Sequence, residues 1–422
     1  MKNRLESPDM IWRRVVLGVL AGLVVLGSSI PGQAGQVAAG APEDLGFSSE
    51  RLDRIHETIQ RHIDAGDITG AVTLVARRGR IAHFEAHGLM DLDAGKPMSK
   101  DAVFRIMSMT KPVTAVAVLM LLEEGKLRLS DHASTFLPEF KEMQVAVATP
   151  GSEAGRGPDA PVETTPAARE ITIRDLLTHT SGMVRNASRT PEDSLETYVP
   201  KLATVPLAFQ PGADWAYSGL AGPDVLARIV EIVSGESYDA FLRRRIFEPL
   251  GMHDTMYYPS DAIRPRVVTL YNRTEQGFAK RPNPDRLSSR VYFSGGAGLV
   301  STAEDYLQFA QMLANGGELN GNRYLSPRTV GLMAANHVGD MFNGKLRFPE
   351  QGFGFGLLVA HLQDNIAAGW RLPNGSWGWF GAYGTQAWIN PGEELVTLLM
   401  IQNLNYEVQR DFENAVVQAL ID

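Results

Sequence analysis

The sequence predicts an α+β fold: an antiparallel sheet built from both chain ends, flanked by helices, with a helical lobe inserted between them. Three observations carry that expectation. Strand-like runs lie near the N-terminus (Gly70–Ala76, Arg80–Ala86) and again near the C-terminus (Gly354–Leu362, Tyr383–Ile389, Leu395–Ile401). Helical patterning dominates the interval from Ile173 to Phe247. No internal repeat divides the 422 residues, so the two sets of strands form one interlocked unit.

The chain opens with Lys2, Arg4, Arg13 and Arg14, followed by an apolar run from Val15 to Leu26 and small residues up to Ala34. That is the pattern of a secretory signal peptide over 1–34, and the apolar run is short for a membrane span. Arg13-Arg14 is compatible with a twin-arginine signal. Cleavage after Ala34 removes four basic residues against Glu6 and Asp9, so the mature chain is more acidic than the net −8 of the whole. Residues 35–46 read as a linker to one domain over 47–422, with its helical lobe at about 141–290.

Within that domain, Leu52, Ile55, Ile59 and Ile63 recur at helical spacing behind a serine cap. The two N-terminal strands meet at Arg77-Arg78-Gly79, a tight hairpin, and Asp91–Pro97 reads as a loop. A strongly apolar helix runs from Ser108 through Leu122 and stops near Gly125. The proline- and glycine-rich stretch from Thr149 to Ala168 reads as an exposed loop. Helices follow at Pro223–Val233, Tyr238–Phe247, Ala303–Asn315 and finally Tyr406–Leu420.

Composition excludes several classes of function. With 44% hydrophobic and 21% charged residues the chain is too apolar for wholesale disorder. Its acidic balance argues against nucleic acid as a partner. The absence of cysteine removes thiol nucleophiles, zinc ribbons, iron–sulfur clusters and disulfides together. No serine sits in G-x-S-x-G, and neither a Walker loop nor a dinucleotide fingerprint occurs. His83 and His87 have the spacing of a metal pair. In a strand, however, four residues span roughly 13 Å, so no metal is expected there.

The informative segment is Phe104-Arg105-Ile106-Met107-Ser108-Met109-Thr110-Lys111-Pro112. Proline is tolerated only in the first turn of a helix, so Pro112 requires the helix to begin near Ser108. The serine then lies where unpaired N–H groups and the helix dipole favour developing negative charge. Lys111 is one turn along on the same face, within reach of the hydroxyl. A lysine in so apolar a helix loses hydration, which disfavours its ammonium form and suits a base that activates serine.

Ser108-Met109-Thr110-Lys111, Ile173–Met183, Gly296–Thr302 and Gly381–Thr385 occur in an order that resembles the serine β-lactamase and penicillin-binding-protein superfamily. The likeness is to its class C-like branch, nearest in motifs to family VIII carboxylesterases, and covers nearly everything after about Leu45. It implies that Tyr217, in Tyr217-Ser218-Gly219, matches the tyrosine of Y-x-N and shares a proton network with Ser108 and Lys111. A phenol, which titrates near ~10, needs cations to act as a base. Gly219 replaces the asparagine of that motif. Trp379-Phe380-Gly381 occupies the place of K-T-G, so Trp379 replaces a lysine. The resemblance also implies an oxyanion hole from the amides of Ser108 and Ala382. Trp370, Trp377 and Tyr383 are expected to make the rim aromatic.

The sequence therefore predicts an exported serine hydrolase that forms an acyl-enzyme, acts on small-molecule esters of short or moderately apolar acids, and needs no cofactor or metal. The rivals are a β-lactamase or D-amino-acid peptidase, and a binder or sensor that is acylated and stalls.

Overall fold

The computed structural model describes residues 36–147, 163–281 and 290–422, which belong to one compact unit. The expected signal peptide lies outside the described residues, as does most of the proline-rich loop. Among the described residues no helix is long and apolar enough to cross a membrane.

The N-terminal strands are β1 (Gly70–Arg77), β2 (Arg80–Asp91) and β3 (Lys96–Pro97). A short separate ladder pairs β4 (Phe104–Arg105) with β5 (Val300–Ser301). The C-terminal strands are β6 (Phe353–Phe355), β7 (Ala360–Leu362), β8 (Trp377–Phe380), β9 (Gln386–Asn390) and β10 (Leu395–Met400). The main sheet runs β6-β7-β8-β9-β10-β1-β2-β3, antiparallel throughout. The last strand thus pairs with the first, Val72 opposite Met400 and Arg77 opposite Leu395. This is the predicted α+β architecture, with the sheet drawn from both chain ends.

Helices cover both faces. α1 (Arg54–Asp64) and α5 (Tyr406–Val417) pack Ile55, Ile59, Val408 and Phe412 against Ala71, Val75, Leu395 and Leu399. The alternate residues Val72, Leu74, Val396, Leu398 and Met400 face the opposite side, as the two-residue strand period requires. There they share the main core with α2 (Thr110–Glu123), α3 (Ala221–Ser234) and α4 (Ala303–Ala314). Nearly every residue of α2 from Thr110 to Leu121 is buried, so it has no solvent-facing polar stripe. A third cluster is rich in aromatics and includes Trp215, Phe342, Phe348, Phe353, Phe355, Trp370, Trp379 and Trp388.

Several boundaries differ from expectation. The first helix is two, Ser49–Leu52 and Arg54–Asp64, and the cap is Ser48, whose side chain accepts from the Arg51 amide. The strand expected at Gly354–Leu362 is the β6–β7 hairpin, folded at Leu358, whose φ is +59°. The strand expected from Tyr383 begins at Gln386, because residues 382–384 turn. The segment 141–290 is not helical throughout: it includes paired strands at Gln144–Ala146 and Thr164–Pro166, and at Tyr271–Thr274 and Gly277–Lys280.

Candidate active site

Ser108 is presented by a sharp local bend. A single 3-10 turn, Met107–Met109, leads into α2, and Pro112 follows in the first turn, where its missing N–H costs no helical bond. Met107 has φ +48°, in the left-handed region that side chains disfavour. The strand ahead of the turn is anchored by the β4–β5 ladder and by the Ile106 amide, which donates to Leu299 O at 3.1 Å. Ser108 is left half-buried at the mouth of a fully buried helix.

Lys111 has no exposed surface, and its ammonium nitrogen has three partners. Nζ lies 2.7 Å from Gly219 O, 2.9 Å from Gly296 O and 3.2 Å from Ser108 Oγ. The two carbonyls can only accept, so each takes an N–H. The remaining tetrahedral position faces the serine. It carries a hydrogen in the ammonium and a lone pair in the neutral amine, so either protonation state fits without side-chain movement. Lys111 Nζ also stands 4.8 Å from the centroid of the half-buried Tyr217 ring, a cation–π distance.

The loop bearing Tyr217 is held by the segment Ile173–Met183. Gly212 N–H donates to Thr180 O (2.8 Å), Ala216 N–H to His179 O (3.1 Å) and Ser218 N–H to His179 Nδ1 (3.3 Å). The His179 ring packs edge-on against Tyr217 at 5.0 Å and Trp215 at 5.7 Å. Burial, and then the charge of Lys111, hold its pKa well below the ordinary histidine value, so the ring is neutral. Because Nδ1 accepts, the proton sits on Nε2, which is buried without a partner among the described residues. His179 is therefore a support for Tyr217 in a fixed tautomer.

A second support reaches Lys111 from behind. Asp224 of α3 is wholly buried and accepts from Ser294 Oγ at 2.5 Å and from the Tyr292 hydroxyl. Gly296 N–H in turn donates to Ser294 Oγ at 3.1 Å, fixing the peptide segment whose carbonyl holds Lys111. Burial pushes the Asp224 carboxyl up, opposed by its two hydroxyl donors and by Lys111. A side chain could not stand at Gly295 or Gly296: a Cβ there would lie 2.1 Å from Pro223 O or 2.6 Å from Gly219 O.

The other wall is the end of β8. The site for a Cβ on Gly381 lies 2.4 Å from Ile106 O and 2.4 Å from Thr385 Oγ1, and the Thr385 hydroxyl donates to Ile106 O at 3.3 Å. The turn that carries Ala382 is thus seated directly on the segment that carries Ser108. Neither the Ser108 nor the Ala382 amide has an acceptor among the described residues. We expect Gly381→Ala to push this turn outward and to lower kcat by about 10²-fold with little change in KM. Steady-state kinetics check this, and wild-type kcat in that variant would contradict it.

Trp379 and Phe380 sit differently from a rim. Trp379 is 1% exposed and packs on Tyr217 (5.6 Å between centroids), Phe348 and Phe355. It backs the tyrosine as a buried wall. Phe380 is half-buried, with the Arg347 guanidinium 3.9 Å from its centroid. Trp377 points into the main core, and Trp370 donates its indole N–H to the buried Glu413, so neither forms a rim. Both tryptophans of β8 are buried, not turned toward solvent. Gly219 faces space, with nothing within 4 Å of where a Cβ would stand.

Sequence reasoning missed the carbonyl of Gly296, the Asp224–Tyr292–Ser294 network and the role of His179. Each lay in or beside a recognised phrase, but only tertiary contact gives it a task.

A family model described as Beta-lactamase matches residues 55–421. Esterase EstB from Burkholderia gladioli is 31% identical over 397 residues, 86% of this chain and 92% of that protein. Penicillin-binding protein 4 from Amycolatopsis lactamdurans is 32% identical over 75% of this chain and 76% of its own length. The solved structure of EstCE1, titled a hydrolase with promiscuous acyltransferase activity, superimposes with a TM-score of 0.72 at 28% identity, covering 87% of this chain and 99% of that one.

Proposed function

Since the chain belongs to the β-lactamase family, we propose that it is an exported carboxylesterase that works through an acyl-enzyme on short or moderately apolar acyl esters. It is a serine hydrolase of β-lactamase fold with esterase and penicillin-binding relatives. The observation that carries the finer reading is the contact of Lys111 Nζ with Ser108 Oγ in a cage of two carbonyls.

In this reading Ser108 passes its proton to the free position of Lys111 as Oγ attacks the acyl carbonyl carbon. The amides of Ser108 and Ala382 receive the developing oxyanion. Collapse breaks the ester C–O bond, and Lys111 with Tyr217 returns the proton to the departing alkoxide. Water then repeats the cycle on the acyl-enzyme, releasing the acid and restoring Ser108. Gly219 O and Gly296 O keep the lysine in place throughout, so it alternates between base and acid without reorganisation.

The preference for esters over β-lactams or D-alanyl peptides is supported by Trp379 and Gly219. Gly219 has no side chain, and Trp379 carries no charge and keeps its one donor, the indole N–H, buried. Purified protein assayed against short p-nitrophenyl esters, a chromogenic cephalosporin and D-alanyl peptides tests this directly.

Export rests on the basic start, apolar run and small residues before Gly35. We expect a mature N-terminus near residues 35–40, read by intact-mass spectrometry of protein from the periplasm or medium. Finding only full-length protein in the cytosol would remove this part of the proposal.

A further inference from the structure

On the far face of the sheet from Ser108, β2 and α1 bring together a second group of chemistry-bearing side chains. His83, Glu85 and His87 alternate along β2, so all three share the face that α1 covers. Thr73 of β1 pairs opposite Glu85, between the two histidines. His56 reaches in from α1. The Cα separation that argued against a shared ion is closed by the side chains: His83 Nε2 and His87 Nε2 lie 2.8 and 2.9 Å from the same Thr73 hydroxyl.

From this geometry we propose a binding site for a divalent transition-metal ion of the zinc class, held by His56 Nδ1, the Glu85 carboxylate and His87 Nε2. Their donor atoms all lie within 4.8 Å of one another, and His56 Nδ1 is 2.6 Å from Glu85 Oε1. A zinc ion with bonds of about 2.0–2.1 Å holds tetrahedral ligand atoms roughly 3.3 Å apart. The widest pair must therefore close by little more than 1 Å. His56 is 53% exposed along its side chain and free to swing, whereas the His87 side chain is fully buried and fixed.

Two imidazoles and one carboxylate select zinc, cobalt, nickel or copper over the all-oxygen preferences of magnesium and calcium. Thr73 has one hydroxyl proton and two histidine neighbours. With His83 donating to Thr73 and Thr73 donating to His87, a single neutral hydrogen bond occupies the His87 lone pair, and an entering ion displaces it. His87 Nδ1, which then carries the proton, is buried without a partner among the described residues. The exposed edge at His56 leaves the fourth position to water. A bound ion would tie α1 to the sheet at β2.

Metal-stripped protein titrated with Zn²⁺ alone should bind one equivalent and unfold at higher temperature. Co²⁺ in its place should give the visible bands of a four-coordinate site. His56→Ala and Glu85→Gln should each weaken Zn²⁺ binding by about tenfold or more and remove the thermal shift. Both are at the surface, and ester hydrolysis should stay within twofold of wild type, which also shows that the variants are folded. Binding of the same stoichiometry and affinity in His56→Ala, or no saturable binding in the wild type, would overturn the site. Neither result bears on the proposal for Ser108.

Discussion

Ser108→Ala should lower kcat for ester hydrolysis by on the order of 10⁴–10⁶ and abolish labelling by a fluorophosphonate. The expectation is specific to this serine. Among the described residues it alone combines a start-of-helix position with a buried lysine at 3.2 Å whose other two donors are already committed to carbonyls. Lys111→Ala removes the proton acceptor and also empties a fully buried space between Gly219 O and Gly296 O. Tyr217→Phe keeps the ring on His179 and Trp379 and deletes only the hydroxyl. Each should cost orders of magnitude, and the double variant should cost far less than the product of the two, because one proton network is being broken twice. Rates for Ser108→Ala equal to wild type would discard the mechanism. Strict additivity of Lys111→Ala and Tyr217→Phe would separate the tyrosine from the lysine's task.

The second large effect is a preference between substrates. A β-lactam presents a carboxylate and an amide side chain, and the positions suited to receive them hold Trp379 and Gly219. Missing one charge-assisted and one neutral hydrogen bond costs about 1.5–3 and 0.5–1.5 kcal/mol. Together that is roughly 10²- to 10³-fold in transition-state binding if the effects add. A short ester needs neither group. We expect kcat/KM for short acyl esters to exceed that for a cephalosporin by at least about two orders of magnitude. The open space at Gly219 allows a converse variant: Gly219→Asn should fit and raise cephalosporin turnover relative to ester turnover. Efficient cephalosporin hydrolysis with negligible esterase activity would promote the amide-hydrolysing reading.

Local rules made part of this legible. Pro112 placed the start of α2, and the strand-like runs Gly70–Ala76 and Leu395–Ile401 are two strands that pair as neighbours. What local rules could not give was which face of an element meets which neighbour. Trp370, Trp377 and Trp379 look alike in sequence, yet one caps Glu413, one enters the main core and one supports Tyr217. The phrase Ile173–Met183 was recognisable as a pattern. Its work, pinning the tyrosine loop through His179 and Thr180, depends on a loop some 35 residues away in the chain. Strand rise likewise fixes the Cα atoms of His83 and His87 and says nothing of rings that lean toward a common hydroxyl.

The pairing of β1 with β10 also governs how the chain reaches this state. Val72 cannot find Met400 until all the chain between them has been made, and Phe47 bridges Leu420 across a longer span still. The central sheet is thus a late event, and such long-range closure slows folding. Until then α2, apolar on every side, has no lasting cover. Until the last strand is made the first lies unpaired, a state whose exposed apolar surface favours aggregation. Removing the final helix and Asp422, whose carboxylate pairs with Arg77 and Arg78, should therefore leave a chain that aggregates rather than a weaker enzyme.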